Sequence, residues 1–401
     1  MDKGNVTGTV FLDLKKAYDL VDHNKLISKL KLYLGDSPNP PATGAPDSPV
    51  SSSTQPFVPT HKPNALLFFK SYLSDRQQFV SVNGTTSPLA NVQRGVPQGA
   101  VLGPLLFGLF INDLPLHIED KTVDCDLFAD DTTIHTPDTN VSSVETRLQK
   151  SLNKISSWCD DNSMVVNPTK TESMVVATRQ KRQVNTLALN LTLNNQPIRQ
   201  VTEHNLLGVI VDEDMKWQSH TTYTSKVVSK NVYLLSKLKD FVDVDARLLY
   251  YNAHIRSHID YVSTVWDGCE DVHLKRLNSL HRESAKHIYP NPTLSTDDKL
   301  KELEMLPLSK HLSYNKAVFM FKVHRGKLPQ YLCSLFKKKP QHYSTNRQHF
   351  EPETPRLDIY KHQSLSYSGA FIWNEIPPAI THSNTLSSFK SGLFRWMMLS
   401  K

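Results

Sequence analysis

Three aspartates, Asp13, Asp130 and Asp131, each stand just beyond a short apolar run: Val10-Phe11-Leu12 for the first, Leu127-Phe128-Ala129 for the other two. Such runs read as buried strands. Neighbouring strands that end in carboxylates bring those groups close together, where their mutual repulsion demands a cation. Mg²⁺ suits the task, because it takes hard oxygen ligands and shares its shell with substrate phosphates. Two such ions, roughly 3.5–4 Å apart, can activate an attacking 3′-hydroxyl and stabilise a leaving pyrophosphate. Taken singly, each aspartate is more often structural: Asp-Asp pairs occur in many surface turns, and Asp13 could cap a helix. The combination with further motifs in a fixed order is what changes the odds.

The elements that must position these carboxylates follow from periodicity. Leu26, Ile27, Leu30, Tyr33 and Leu34 share one helical face, with Asp22 as N-cap. Residues 36–63 hold eight prolines and five serines and almost nothing to bury, so they read as a disordered Pro/Ser-rich insert within a domain. A helix is expected over 64–73 and a hairpin at 78–83 leading into Asn83-Gly84. An apolar helix is expected over 102–112, followed by strands at 123–127 and 132–135 with Asp130-Asp131 at their tip. Ser142 and Glu145 form a capping box opening a helix whose face carries Val144, Leu148, Leu152, Ile155 and Trp158. Further strands are expected at 173–177 and 206–211. From about Thr221 the pattern turns helical. The first half therefore reads as α+β and the second as largely α.

Composition bounds the partners. Of 401 residues, 46 are Lys or Arg and 39 Asp or Glu, a formal charge of +7 that suits a polyanion such as nucleic acid and equally suits an unpartnered basic surface. Cys125, Cys159, Cys269 and Cys333 are too scattered for a structural zinc site, and too few for a disulfide framework. No signal peptide and no apolar run of about 18 residues appears, so an intracellular protein, cytoplasmic or nuclear and not secreted, is expected, with no membrane span.

The motifs in order resemble the reverse transcriptases of non-LTR, LINE-like retrotransposons of the jockey/CR1 type. Phe11-Leu12-Asp13-Leu14-Lys15-Lys16-Ala17-Tyr18-Asp19-Leu20-Val21-Asp22-His23 looks like motif A. Arg94-Gly95-Val96-Pro97-Gln98-Gly99, Leu102-Gly103-Pro104-Leu105-Leu106-Phe107 and Ile111-Asn112-Asp113-Leu114-Pro115 look like motif B. Phe128-Ala129-Asp130-Asp131 looks like motif C. Asn167-Pro168-Thr169-Lys170-Thr171 resembles motif D. Leu207-Gly208-Val209, with Asp212, Trp217 and His220, resembles motif E.

The resemblance implies a right-hand polymerase: a palm of antiparallel sheet and helices over 1–220, a helical thumb over 221–290 and a mainly helical C-terminal region over 291–401. It implies RNA-directed DNA synthesis from dNTPs on an RNA template and a DNA primer. Asp13 and Asp130 would bind two Mg²⁺ ions, or Mn²⁺, with Asp131 assisting and the Leu14 carbonyl supplying a further oxygen. Tyr18 would exclude a 2′-hydroxyl; its rival reading is a core aromatic. Gln98 and Gly99 would contact nucleotide and template, with simple packing as the rival for Gly99. Lys170 would stand near the leaving pyrophosphate, or in solvent as an ordinary lysine. Leu207 and Gly208 would grip the primer end. Lys226, Lys230, Lys237, Lys239, Arg247, Arg256, Lys275, Arg276, Arg282 and Lys286 would supply phosphate contacts in the thumb, or a solvated face. The stretch around Gly369-Ala370 and Trp373 resembles the tail that follows the polymerase in the same group. The family places a fingers segment before motif A, so Asp13, near the start, reads as the mark of an N-terminally truncated copy. The competing expectation is an inactive remnant that at most binds nucleic acid.

Overall fold

The computed structural model describes residues 4–34, 63–184, 187–339, 350–356, 361 and 364–400. The expected insert lies outside the described residues, except that its last position opens the helix Pro63–Leu73. The chain forms two compact units, Asn5–Thr202 and Glu203–Lys401 with Met1–Gly4.

The first unit is built on five strands: β1 (Val6–Leu12), β2 (Asp124–Phe128), β3 (Asp131–Asp138), β4 (Glu172–Val176) and β5 (Arg199–Gln200). Their order is β5-β4-β1-β3-β2, antiparallel except for the parallel β4–β5 pair. The apolar run read from sequence is thus the end of the central strand, and Val10 and its cross-strand partner Ile134 are fully buried. Helices α1 (His23–Leu34), α2 (Gly103–Ile111) and α3 (Val141–Asp161) complete the core.

Asp22 caps α1 as expected, its Oδ1 accepting the N–H groups of Asn24 and Lys25 at 2.9 and 3.0 Å. Leu26 and Leu30 are buried, while Tyr33 is exposed and its hydroxyl accepts a bond from Asn112. The apolar face of α3 also holds: Val144, Leu148, Leu152, Ile155 and Trp158 are all buried. Its cap is a correction. Asn140, not Ser142, is the N-cap, accepting the Ser142 N–H at 2.9 Å, and Glu145 instead accepts the Asn190 N–H at 2.7 Å. β3 extends to Asp138, so the helix can begin only after Asn140, and the capping box loses its position.

A polar knot ties the three helices. Asp113, just past α2, accepts from Lys29 of α1 at 2.7 Å and from the Trp158 indole of α3 at 3.1 Å. The Lys29 ammonium also lies over the rings of Phe110 and Trp158, 4.5 and 4.7 Å from their centroids. Burial lowers its pKa, with the Asp113 partner opposing that shift.

The second unit begins with a hairpin, β6 (Glu203–Leu206) and β7 (Val209–Asp212), where one strand was expected. Leu207 and Gly208 form its turn, with φ of 50° and 83°, the left-handed pair that matches the twist of two-residue hairpins. The Asp212 carboxylate then accepts the N–H groups of Asp214, Lys216 and Trp217. This places Trp217 at the start of α4 (Gln218–Leu238). Trp217, His220 and the fully buried Trp266 share one core with α5 (Val244–Tyr251) and α6 (Asp271–Ile288). Asp212, Trp217 and His220 thus act here as scaffold.

A further core joins α7 (Leu308–His324), α8 (Leu365–Glu375) and α9 (Leu386–Leu399). Phe321 stacks on Phe389 at 4.4 Å, and Trp373 on Phe389 at 6.0 Å. The Gly369-Ala370…Trp373 stretch is therefore packing: a Cβ on Gly369 would stand 2.9 Å from the Met320 sulfur. Among the described residues no helix is long and apolar enough to cross a membrane.

Candidate active site

The register of the sheet decides where the three aspartates lie. Leu12 of β1 pairs with Thr132 of β3, so one further step sets Asp13 opposite Asp131. Phe128 of β2 pairs with Asp131, which leaves Ala129 and Asp130 as the turn. Asp131 is therefore the first residue of a strand, and Asp130 alone of the pair occupies the tip. Ala129 has φ of 54°, a conformation that costs an L-residue roughly 1 kcal/mol. Asp13 and Asp130 are half-buried and Asp131 is exposed.

Beyond β1 the chain pairs with the segment before β4. Lys15 N–H donates to Val165 O and Asn167 N–H to Asp13 O, both at 2.8 Å, flanking the Leu14–Val166 bridge. Backbone groups alternate sides along a strand. The Leu14 carbonyl therefore faces away from Val166, toward the side of β1 where β3 lies. Asp13, Asp130, Asp131 and that carbonyl thus share one corner of the sheet.

Motif B is docked on motif A through the backbone. Gly95 N–H donates to Val21 O and Val96 N–H to Tyr18 O, both at 2.8 Å, and the His23 ring donates to Gly95 O at 2.7 Å. Gly95 has φ of 90°, and a Cβ there would lie 2.9 Å from the Asp19 backbone. Gly95→Ala should therefore destabilise the first unit by roughly 2–3 kcal/mol, combining an unfavourable φ with displaced backbone. A urea titration reads this as a lower midpoint, and an unchanged midpoint would contradict the packing described.

Gln98 donates to Asp19 Oδ1 at 3.0 Å, and the exposed Gly99 (φ 78°) has open space where a side chain would project. Tyr18 stacks on Phe107 of α2 at 4.4 Å, so its ring is braced by the core. Burial first, then the negative charge of Asp130, raises the Tyr18 phenol above the ordinary tyrosine range. The tyrosine after motif A thus lies within electrostatic reach of the aspartate of motif C.

Lys170 is exposed, on the loop whose Asn167 holds Asp13; Leu207 and Gly208 belong to the second unit. Within that unit, Lys226, Lys230, Tyr233, His273 and Arg276 line an open groove of about 570 Å³ between α4 and α6. Arg247 is not available to phosphate: it is buried and donates to the Asp243, Lys239 and His287 carbonyls.

The donor set at the sheet corner, carboxylates and a carbonyl, fits a hard divalent cation in chemistry and in backbone placement. Among the described residues, no three His, Cys, Asp or Glu side chains are gathered closely enough to grip an ion. Asp13 Oδ2 is instead bonded by the Asn167 amide at 2.9 Å. Sequence reasoning assigned no role to Asn167, Asp19 or Phe107, because their partners lie far off along the chain.

The family described as "Reverse transcriptase (RNA-dependent DNA polymerase)" matches residues 51–211, which include 94–99, 130–131, 167–171 and 207–208 but not Asp13. The chain is 24% identical over 311 residues to the RNA-directed DNA polymerase from mobile element jockey of Drosophila melanogaster, covering 75% of this chain and 30% of the relative. Residues 51–211 thus match a reverse transcriptase domain, and the curated relatives are polymerases of jockey and other non-LTR, LINE-like elements. The chain is also 25% identical over 312 residues to a probable RNA-directed DNA polymerase from transposon X-element of the same fly, covering 75% and 31%. It therefore spans about a third of the length of the curated relatives it matches. Among solved structures it is similar to telomerase of Candida albicans in complex with a fragment of telomeric RNA, at TM-score 0.39 and 15% identity, covering 76% of this chain and 45% of that one. Telomerase of Candida tropicalis gives 0.38 and 11%, covering 82% and 52%.

Proposed function

We propose that this chain is the palm and thumb of an RNA-directed DNA polymerase that extends a DNA primer with dNTPs on an RNA template. The observation that carries the reading is the register that sets Asp13 and the Asp130 turn at one corner of the sheet. Asp13 and Asp130 would hold Mg²⁺ or Mn²⁺, with Asp131 and the Leu14 carbonyl beside them. Bound there, a pair of such ions would supply Lewis acidity for the primer 3′-hydroxyl and the departing pyrophosphate.

The protein's own groups do the rest. Tyr18, braced on Phe107, lies against the sugar of the incoming nucleotide and leaves no room for a 2′-hydroxyl. Gln98, aligned by Asp19, and the open backbone at Gly99 face nucleotide and template. Lys170 brings positive charge to the leaving group. The Leu207-Gly208 turn holds the primer end, its Leu207 carbonyl accepting from the Tyr261 hydroxyl at 2.5 Å. Lys226, Lys230 and Arg276 contact phosphates from the groove between α4 and α6. Copying primed at a chromosomal target would place the protein in the nucleus.

The test is dNTP incorporation by the purified chain on poly(rA)/oligo(dT) with Mg²⁺, with Asp130→Asn as control. Incorporation that vanishes in the control is the expected result. No incorporation, with template–primer still bound in a salt-dependent manner, would replace this reading with that of a nucleic-acid-binding remnant. Absence of both would sink the two readings together.

A further inference from the structure

The loop after α3 grips Asp13 at three atoms. Asn167 N–H donates to Asp13 O at 2.8 Å, Asn167 Nδ2 donates to Asp13 Oδ2 at 2.9 Å, and Asp13 N–H donates to Thr171 Oγ1 at 3.4 Å. Neighbours fix which way the Asn167 amide points. The Thr169 hydroxyl donates to Asn167 Oδ1 at 2.8 Å, so Nδ2 must be the group that meets the carboxylate. The Thr171 hydroxyl in turn donates to Asn167 O at 2.9 Å. Asn167 and Thr171 are both buried, so water does not compete freely for these bonds. Asp13 Oδ1 has no partner among the described residues.

We infer that Asn167 is a positioning residue: it ties down one oxygen of Asp13 and presents the other, Oδ1, to a divalent cation at the sheet corner. The inference rests on the polymerase reading above. An aspartate free to rotate about its χ angles would pay an ordering cost on each binding event, and the clasp removes that cost in advance. It also sets Asp13 apart from Asp130, whose side chain has no comparable hydrogen bond among the described residues.

The test reads cation binding directly, by the loss of the free Mn²⁺ paramagnetic resonance signal as the full chain is added. Four proteins are compared: the parent, Asp13→Asn, Asn167→Ala and Thr169→Val. The parent is expected to take up Mn²⁺ and Asp13→Asn to lose that site. Asn167→Ala should bind about 10–100-fold more weakly, at a temperature where circular dichroism shows it folded like the parent. Thr169→Val removes only the exposed hydroxyl that orients the amide, and should weaken binding in the same direction by less. It decides the matter if Asn167→Ala does not fold. A parent that binds through Asp13 while both Asn167→Ala and Thr169→Val bind equally well would overturn the positioning role and leave the polymerase reading standing. A parent with no Mn²⁺ site would overturn the metal site, and this role with it.

Discussion

Asp130→Asn should reduce dNTP incorporation by at least about a thousandfold, while Asp131→Asn should cost far less. Asparagine keeps the size of the side chain and removes its charge, so the two-residue turn after Phe128 has no reason to change shape. Removing one pre-set electrostatic contact in an active site typically costs a factor of 10²–10³, and a lost anionic metal ligand belongs at or beyond the top of that range. The contrast follows from register. Asp130 is half-buried at the tip and close enough to Tyr18 to raise its phenol pKa, whereas Asp131 is exposed and already within β3. A second readout separates chemistry from folding. Asp130→Asn should lower the Tyr18 pKa while leaving it above the usual range, because burial is the larger cause. Equal losses from the two substitutions would show that the register argument misplaces the working carboxylate.

The second large effect concerns stability. His281 lies between Tyr251 and the main chain: its Nε2 meets Leu306 O at 2.9 Å and its Nδ1 meets the Tyr251 hydroxyl at 2.8 Å. A carbonyl only accepts, so Nε2 carries the proton and Nδ1 accepts from the tyrosine, which leaves no place for a second proton. Burial chiefly pushes the imidazole pKa down to about 4. A depressed histidine favours folding in its neutral form. Between its unfolded value near 6.5 and about 4 the unfolded chain binds the extra proton and the folded one does not. Stability from this group is thus complete above pH 6.5 and is lost as pH falls toward 4, by about 3 kcal/mol. Denaturant unfolding of the parent between pH 7 and 4 should show that slope. His281→Gln, though less stable throughout, should show a shallower one; parallel curves would refute the assignment.

Local pattern made much of the first unit legible. The central strand, the apolar face of α3, the Asp22 cap and the order of motifs were readable because each depends on residues a few positions apart. The misreadings have one physical source, which is partners brought from afar. Ser142 looks like a cap until β3 is seen to run to Asp138. Residues 206–211 read as one strand because the left-handed turn at Leu207 has no glycine to announce it; Gly208 supplies only the second position. Arg247 counted as a surface cation, and its three carbonyl partners lie on segments that no helical periodicity connects. At the site, the aspartates were visible as residue types following apolar runs. The Asn167 clasp was not, since 154 positions separate it from Asp13.

The central strand carries a consequence for how the site can vary. β1 is hydrogen-bonded along both edges, to β3 and to β4, and lies beneath α3. Such a strand opens only with the whole unit, whereas a turn at the sheet's margin opens alone. One wall of the cation corner is therefore as rigid as the fold itself, and the other is as compliant as a two-residue loop. Drift in sequence can reshape the Phe128–Asp131 turn at little cost to folding, but a change in the approach to Asp13 has to be absorbed by the entire sheet.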